Sequence, residues 1–223
     1  MDATEKAKIS RFASITALAG SACAITGAAL WMASGTDIDV ALARDDMAGY
    51  LAEAGANSGL LVANLTIWIV MAVLMAAAAT AMTMLDGKDR LTSRLARFCY
   101  WAGAPLVITS YVAWLAIVVK IAPDTSPASV ALAETVGWFA SRADWVATIL
   151  YLSLGPTFLS MGGCGSWVPT WLWRWSNVAL FAGLLNAIAM LTGGSGLSTY
   201  GFVIIPVGVG WMIAAGIVLL RYK

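Results

Sequence analysis

The sequence predicts an all-α, polytopic integral membrane protein, a six-helix bundle with N- and C-termini cytoplasmic. Three observations carry this. Apolar residues make up 61% of the 223, charged residues 11%, and mean hydropathy is +0.82, whereas soluble domains run at roughly 45–50% apolar and about 25% charged. Six segments are long enough to cross a bilayer core of about 30 Å, which takes roughly 20 apolar residues in a helix. Lysine and arginine are divided unequally between alternate loops, which sets the orientation.

The first span, about 12–33, follows Lys6, Lys8 and Arg11. It is longer than the roughly 7–15 apolar residues of a secretory signal and reads as an uncleaved first helix. An outer loop, 34–57, contains "DIDVALARDDMAGYLAEA" at 37–54. This stretch gathers Val40, Met47, Tyr50 and Leu51 on one face of a short helix and keeps Asp37, Asp39, Asp45, Asp46 and Glu53 wet. The second span, about 58–85, is long enough to tilt, and the third covers about 98–120. A second outer loop, 121–143, has turn-forming Pro123 and Pro127, then a short helix from Ser129 that carries Glu134. The fourth span, about 144–163, starts at Asp144, an acid that the helix dipole stabilises in a first turn. The fifth, about 169–192, opens on Pro169, which suits a first helical turn. "GGSG" at 193–196 turns the chain into the sixth span, about 200–220. The whole, 1–223, reads as a single transmembrane domain.

With the N-terminus inside, ten basic residues lie on the cytoplasmic side: Lys6, Lys8, Arg11, Lys88, Arg90, Arg94, Arg97, Arg174, Arg221 and Lys223. Arg44, Lys120 and Arg142 are left outside. This is a positive-inside asymmetry. The net charge of +1 leaves no basic stripe to neutralise phosphates, so no nucleic acid is expected as a partner.

Several chemistries are excluded by composition. There is no histidine, which removes imidazole-based metal sites and the usual general base, so no metal and no cofactor are expected. Cys23, Cys99 and Cys164 share no CxxC spacing and imply no disulfide framework. All twelve carboxylates are read in loops or at span ends, which argues against proton- or ion-coupled transport. "MGGCGS" at 161–166 lacks the ending of a phosphate loop and reads as a turn.

What remains points to the outer half of the bundle. Asn64, Tyr111, Tyr151 and Asn186 are candidate polar fixtures of an apolar, ligand-binding pocket, set against the plainer role of hydrogen bonding between helices. Glu53, Glu134 and Asp144 are the alternative, a catalytic set of outer-loop carboxylates. Gly20, Ala24 and Gly27 on span one, with Gly208, Gly210 and Gly216 on span six, offer small surfaces for close helix packing. "SWVPTWLWRWSN" at 166–177 gathers Trp167, Trp171, Trp173, Arg174 and Trp175. Tryptophans spread around a helix at headgroup depth form an aromatic belt, so the stretch reads as a membrane anchor.

The order of "YLAEAGANSGLLVANL", "DGKDRLTSRLARF", "SWVPTWLWRW" and the closing "YGFVIIPVGVGWMIAAGIVLLRYK" resembles the bacterial six-helix membrane family catalogued as domain of unknown function 4386. In that family the turn before span five often reads proline, basic residue, tryptophan, leucine, and here Thr170 stands at the basic position. The resemblance implies a multi-pass protein of the bacterial inner membrane and no particular activity. Taken together, the sequence points to a non-catalytic membrane protein that binds membrane lipids and a small apolar or amphipathic ligand or partner helix. The alternatives are a cyclase- or isomerase-type enzyme on a lipid-like or isoprenoid substrate using those outer-loop carboxylates, and an accessory subunit of a larger membrane complex; a membrane protein partner or a homo-oligomer is the protein partnership expected.

Overall fold

The computed structural model describes residues 2–86, 91–192 and 197–222. Lys88, Arg90 and Lys223 of the basic set, and the turn at 193–196, lie outside the described residues. The described chain is helical, with α1 (Ala3–Ser34), α2 (Ile38–Arg44), α3 (Met47–Ala56), α4 (Ser58–Met84), α5 (Leu91–Ala116), α6 (Pro127–Ile149), α7 (Gly155–Gly163), α8 (Thr170–Thr192) and α9 (Leu197–Arg221). Two π-helical turns are spliced in. Ile117–Ile121 extends α5, and Leu150–Leu154 joins α6 to α7 without a break. Six helices are therefore long and apolar enough to cross a membrane, the fourth running from Pro127 to Gly163. The molecule is a multi-pass integral membrane protein.

The spans close into a ring in which α1 packs on α4 and α9, α4 on α5, α5 on α6 and α7, and α8 on α7 and α9. Both termini lie on one face, where Lys6 Nζ sits 4.5 Å from the Tyr222 ring centroid. Small residues allow the close approaches, because lipid gives helices no hydrophobic reason to associate and packing must hold them. A Cβ on Gly27 of α1 would come within 2.8 Å of the Trp68 indole nitrogen on α4. One on Gly208 of α9 would come within 2.4 Å of Leu152. The glycines of spans one and six are thus spent on packing inside the chain. Hydrogen bonds add to it: Ser10 Oγ donates to the Leu219 carbonyl and Ser14 Oγ to that of Gly216, each at 2.7 Å. Phe12, Ile15, Val73, Phe98, Phe181 and Ile188 stay exposed on the perimeter, as lipid-facing side chains do.

On the face opposite the termini, short acidic signals punctuate the chain. Gly35, at φ 68°, ends α1 in the left-handed region that glycine tolerates. Asp37 caps α2 by accepting from the amides of Asp39 and Val40. Asp45 ends α2 at φ 57° and Asp46 caps α3 by accepting from Gly49 N. The single amphipathic helix expected over 37–54 is therefore two helices broken at Asp45–Asp46. Met47, Tyr50 and Leu51 are buried as expected.

The largest departure lies between spans three and four. Asp124 accepts from Ser126 and Ser129, and Ser126 caps a helix with Pro127 in its first turn. These bonds, that to Ser129 foremost, hold the Asp124 carboxyl below the ordinary carboxylate range. The helix that starts there does not stop after Glu134 but continues through Asp144 into the membrane span. Asp144 is hence seventeen residues beyond Pro127, not in a first turn, and the dipole explanation does not apply to it. It stands inside a continuous helix, which corrects its placement at a helix start.

Candidate functional site

A cavity of about 440 Å³ lies within the ring, walled by α1, α4, α5, α6 with its π turn, and α9, and roofed by α2 and Tyr50 of α3. The walls are mainly apolar, with Ala24, Leu65, Met71, Val107 and Val209 among them. One face of α6 contributes several polar groups. Ser141, Asp144, Trp145 and Thr148 stand at i, i+3, i+4 and i+7, the spacing of a single helical face, and the last three line the cavity.

Asp39 of α2 reaches down to that face. It accepts a hydrogen bond from Ser141 Oγ and one from Trp145 Nε1, the latter at 2.9 Å. Burial raises the Asp39 carboxyl above its ordinary value, partly offset by these two bonds and by the Arg142 charge. Asp37 is raised as well, by burial first and then by the Asp39 charge. Deeper in, the Tyr111 phenol and the Asp144 carboxyl line the cavity together. Tyr111 is also the centre of an aromatic run. Its ring stacks on Trp68 at 6.0 Å and meets Trp114 edge-on at 5.0 Å, contacts worth about 0.5–1.5 kcal/mol each beyond their buried area.

The charge balance is one-sided, since Asp37, Asp39 and Asp144 line the cavity and no lysine or arginine does. Arg142, the nearest cation on α6, stacks over Trp138 at 5.5 Å instead. No three carboxylates or thiols converge as a metal-ligand set among the described residues. Chemically, the site offers a carboxyl–phenol pair at one end of an apolar chamber.

Comparison with known proteins does not extend this description: no family model, curated protein or solved structure matches the chain.

Three of the four residues proposed from sequence as pocket fixtures, Asn64, Tyr111 and Tyr151, do line the cavity. Two of them are already engaged. Asn64 Nδ2 donates to the Gly27 carbonyl at 2.6 Å, and the Tyr151 hydroxyl to that of Ala72 at 2.9 Å. Asn186 does not line the cavity, because no residue of α8 contributes to it. It is fully buried, and neither side-chain polar atom has a hydrogen-bond partner among the described residues.

The carboxylate set of Glu53, Glu134 and Asp144 is not brought together. Glu53 is exposed on α3 and absent from the cavity wall. Glu134 is ten residues before Asp144 on one helix, about 15 Å along its axis, and lines a shallow external groove with Asp45 and Trp138. The acids that share the cavity with Asp144 are Asp37 and Asp39. Sequence reasoning left Asp39 on a wet face and did not single out Trp68 or Trp114. The signal that could have found the site was the Ser141–Thr148 periodicity, hidden by starting the helix at Asp144.

The tryptophan-rich stretch also divides. Trp171 and Trp173 are exposed on α8 beside exposed Arg174, and Trp175 is half-buried with its ring 6.5 Å from that of Trp171. Trp167 departs from an anchor role: it is 2% exposed and donates to Asp86 Oδ1 at 3.1 Å. Asp86 also accepts from Ser93 Oγ, so the two loops of the termini face are tied together there.

Proposed function

We propose that this membrane protein holds a small apolar or amphipathic molecule in the cavity between its spans, without chemistry of its own. One observation carries the reading, a chamber of about 440 Å³ with mainly apolar walls and a few polar groups, Asp39, Tyr111 and Asp144 among them. That volume falls in the range of small-molecule sites, roughly 300–1,000 Å³. Ile25 and Met32 of α1 and Pro206 of α9 line the cavity and are also exposed. Access from the lipid, between these two helices, follows from that arrangement.

The test is direct. Protein purified in mild detergent is extracted and the extract searched by mass spectrometry, while thermal stability is followed with short-chain alcohols and amines added. Ala28→Phe, which places a large ring in the chamber, abolishes both retention and stabilisation in a protein that still elutes as a single species. An unmodified protein that retains nothing and gains no stability from any probe overturns the reading.

The basic residues support termini in the cytoplasm and a cavity toward the outer leaflet, and the family resemblance supports a bacterial inner membrane. A second reading, an enzyme on a lipid-like substrate, is favoured by one observation, the placement of Asp39 and Asp144 in one cavity, where two carboxyls can serve as acid and base. Turnover that persists in Asp144→Asn sinks it.

A further inference from the structure

We infer that the cavity is selective for amphipathic cations, an ammonium group on an apolar tail, with the head at Asp144 against the Tyr111 and Trp114 rings and the tail among the apolar walls. The inference rests on the reading of the cavity as a binding site and adds the charge of its ligand.

Four observations lead there. Asp144 lies inside a membrane-spanning helix and lines an apolar cavity, where a carboxylate without a counter-charge is costly. No basic side chain shares that wall, and Arg142 is committed to Trp138 and acts on Asp39. The same wall carries Trp68, Tyr111, Trp114 and Trp145. Aromatic faces attract a cation by their quadrupole and do so more strongly when the site is dry. Finally, Asp37 and Asp39 place two further acidic groups at the roof, on the side where the head would lie. An anionic ligand would meet three acids and no partner. A neutral one would leave the field of these acids unused.

The experiment compares octyltrimethylammonium, 1-octanol and octanoate, equal in tail and different in charge, by calorimetric titration into the full-length protein in maltoside micelles. Blank micelles are subtracted. The expected result is binding of the cation about tenfold or more tighter than the alcohol, with no measurable binding of octanoate. Asp144→Asn brings cation and alcohol to equal affinity, and Tyr111→Phe reduces the preference without removing the alcohol. If either variant fails to fold, the ratio of cation to alcohol on the unmodified protein still decides.

Equal affinities for alcohol and cation on that protein, or tighter binding of octanoate, overturn the inference while leaving the cavity reading standing. Binding of none of the three, with the protein folded, overturns both. Added phosphatidylethanolamine separates two sources of the same chemistry. Competition identifies a lipid headgroup as the occupant and lack of competition a free amphiphile, and each result upholds the preference for an ammonium group.

Discussion

Removing the Asn64 amide strips the Gly27 carbonyl of its donor inside a membrane segment, where water does not replace it. Asn64→Leu should therefore lower stability by about 0.6–2 kcal/mol, read as a fall in the thermal midpoint in micelles, while ligand affinity changes little. Asn186 predicts the opposite sign. Its amide is fully buried with no partner among the described residues, so an apolar side chain of similar size removes an unsatisfied group that costs about 1–3 kcal/mol. Asn186→Leu should raise the midpoint, and a fall would show that the amide is satisfied. These two asparagines looked alike in the sequence. What separates them is the carbonyl that one of them reaches.

At the scale of elements, α2 is held to α6 by Asp39 through Ser141 and Trp145. The Asp39 carboxyl is raised in the folded protein, by burial above all. A raised carboxyl means that the folded state keeps its proton where the unfolded chain has lost it. That contribution is complete below the ordinary value of 3.8 and disappears as pH rises through the folded value. Asp37 contributes in the same direction. Thermal stability should accordingly fall as pH is raised from about 4 toward neutrality, and Asp39→Asn should flatten the profile. A slope unchanged in Asp39→Asn would remove Asp39 as its source. The close approaches of α1 to α4 and of α9 to the Leu150–Leu154 turn give a second prediction. Gly27→Val and Gly208→Val each force a collision with a packed neighbour, and overpacking of this kind costs about 1–3 kcal/mol or more. Both should show a lower thermal midpoint than Gly35→Ala, where no atom lies within 4 Å of the new methyl and only backbone strain is felt.

For the whole molecule, the chain carries its own probe of orientation. Cys164 is the exposed cysteine, on the termini face, while Cys23 is half-buried and Cys99 buried within spans. If the termini are cytoplasmic, an impermeant maleimide leaves intact cells unlabelled and labels inverted vesicles. A cysteine introduced at exposed Ala131 on α6 shows the reverse pattern. Labelling of Cys164 from outside would invert the orientation and place the cavity toward the inner leaflet.

The sequence alone determined that this chain spans a membrane six times, because the length of an apolar run is a local property set by bilayer thickness and helical rise. It also picked out three residues that line the cavity, since Asn64, Tyr111 and Tyr151 were visible as polar groups in apolar runs. It misplaced the start of the fourth span because polarity falls at Asp144 whereas the helix does not. The backbone hydrogen bonds that carry α6 from Pro127 to the π turn take no account of where the lipid begins. Only the tertiary structure decided that Asp39 folds back onto α6, that Asn186 stands outside the cavity, and that Trp167 turns inward to Asp86. Each of those depends on which helix faces which. In a ring of six apolar helices that choice is made by small residues at close contacts rather than by hydrophobic periodicity, which has little to report when both lipid and interior are apolar.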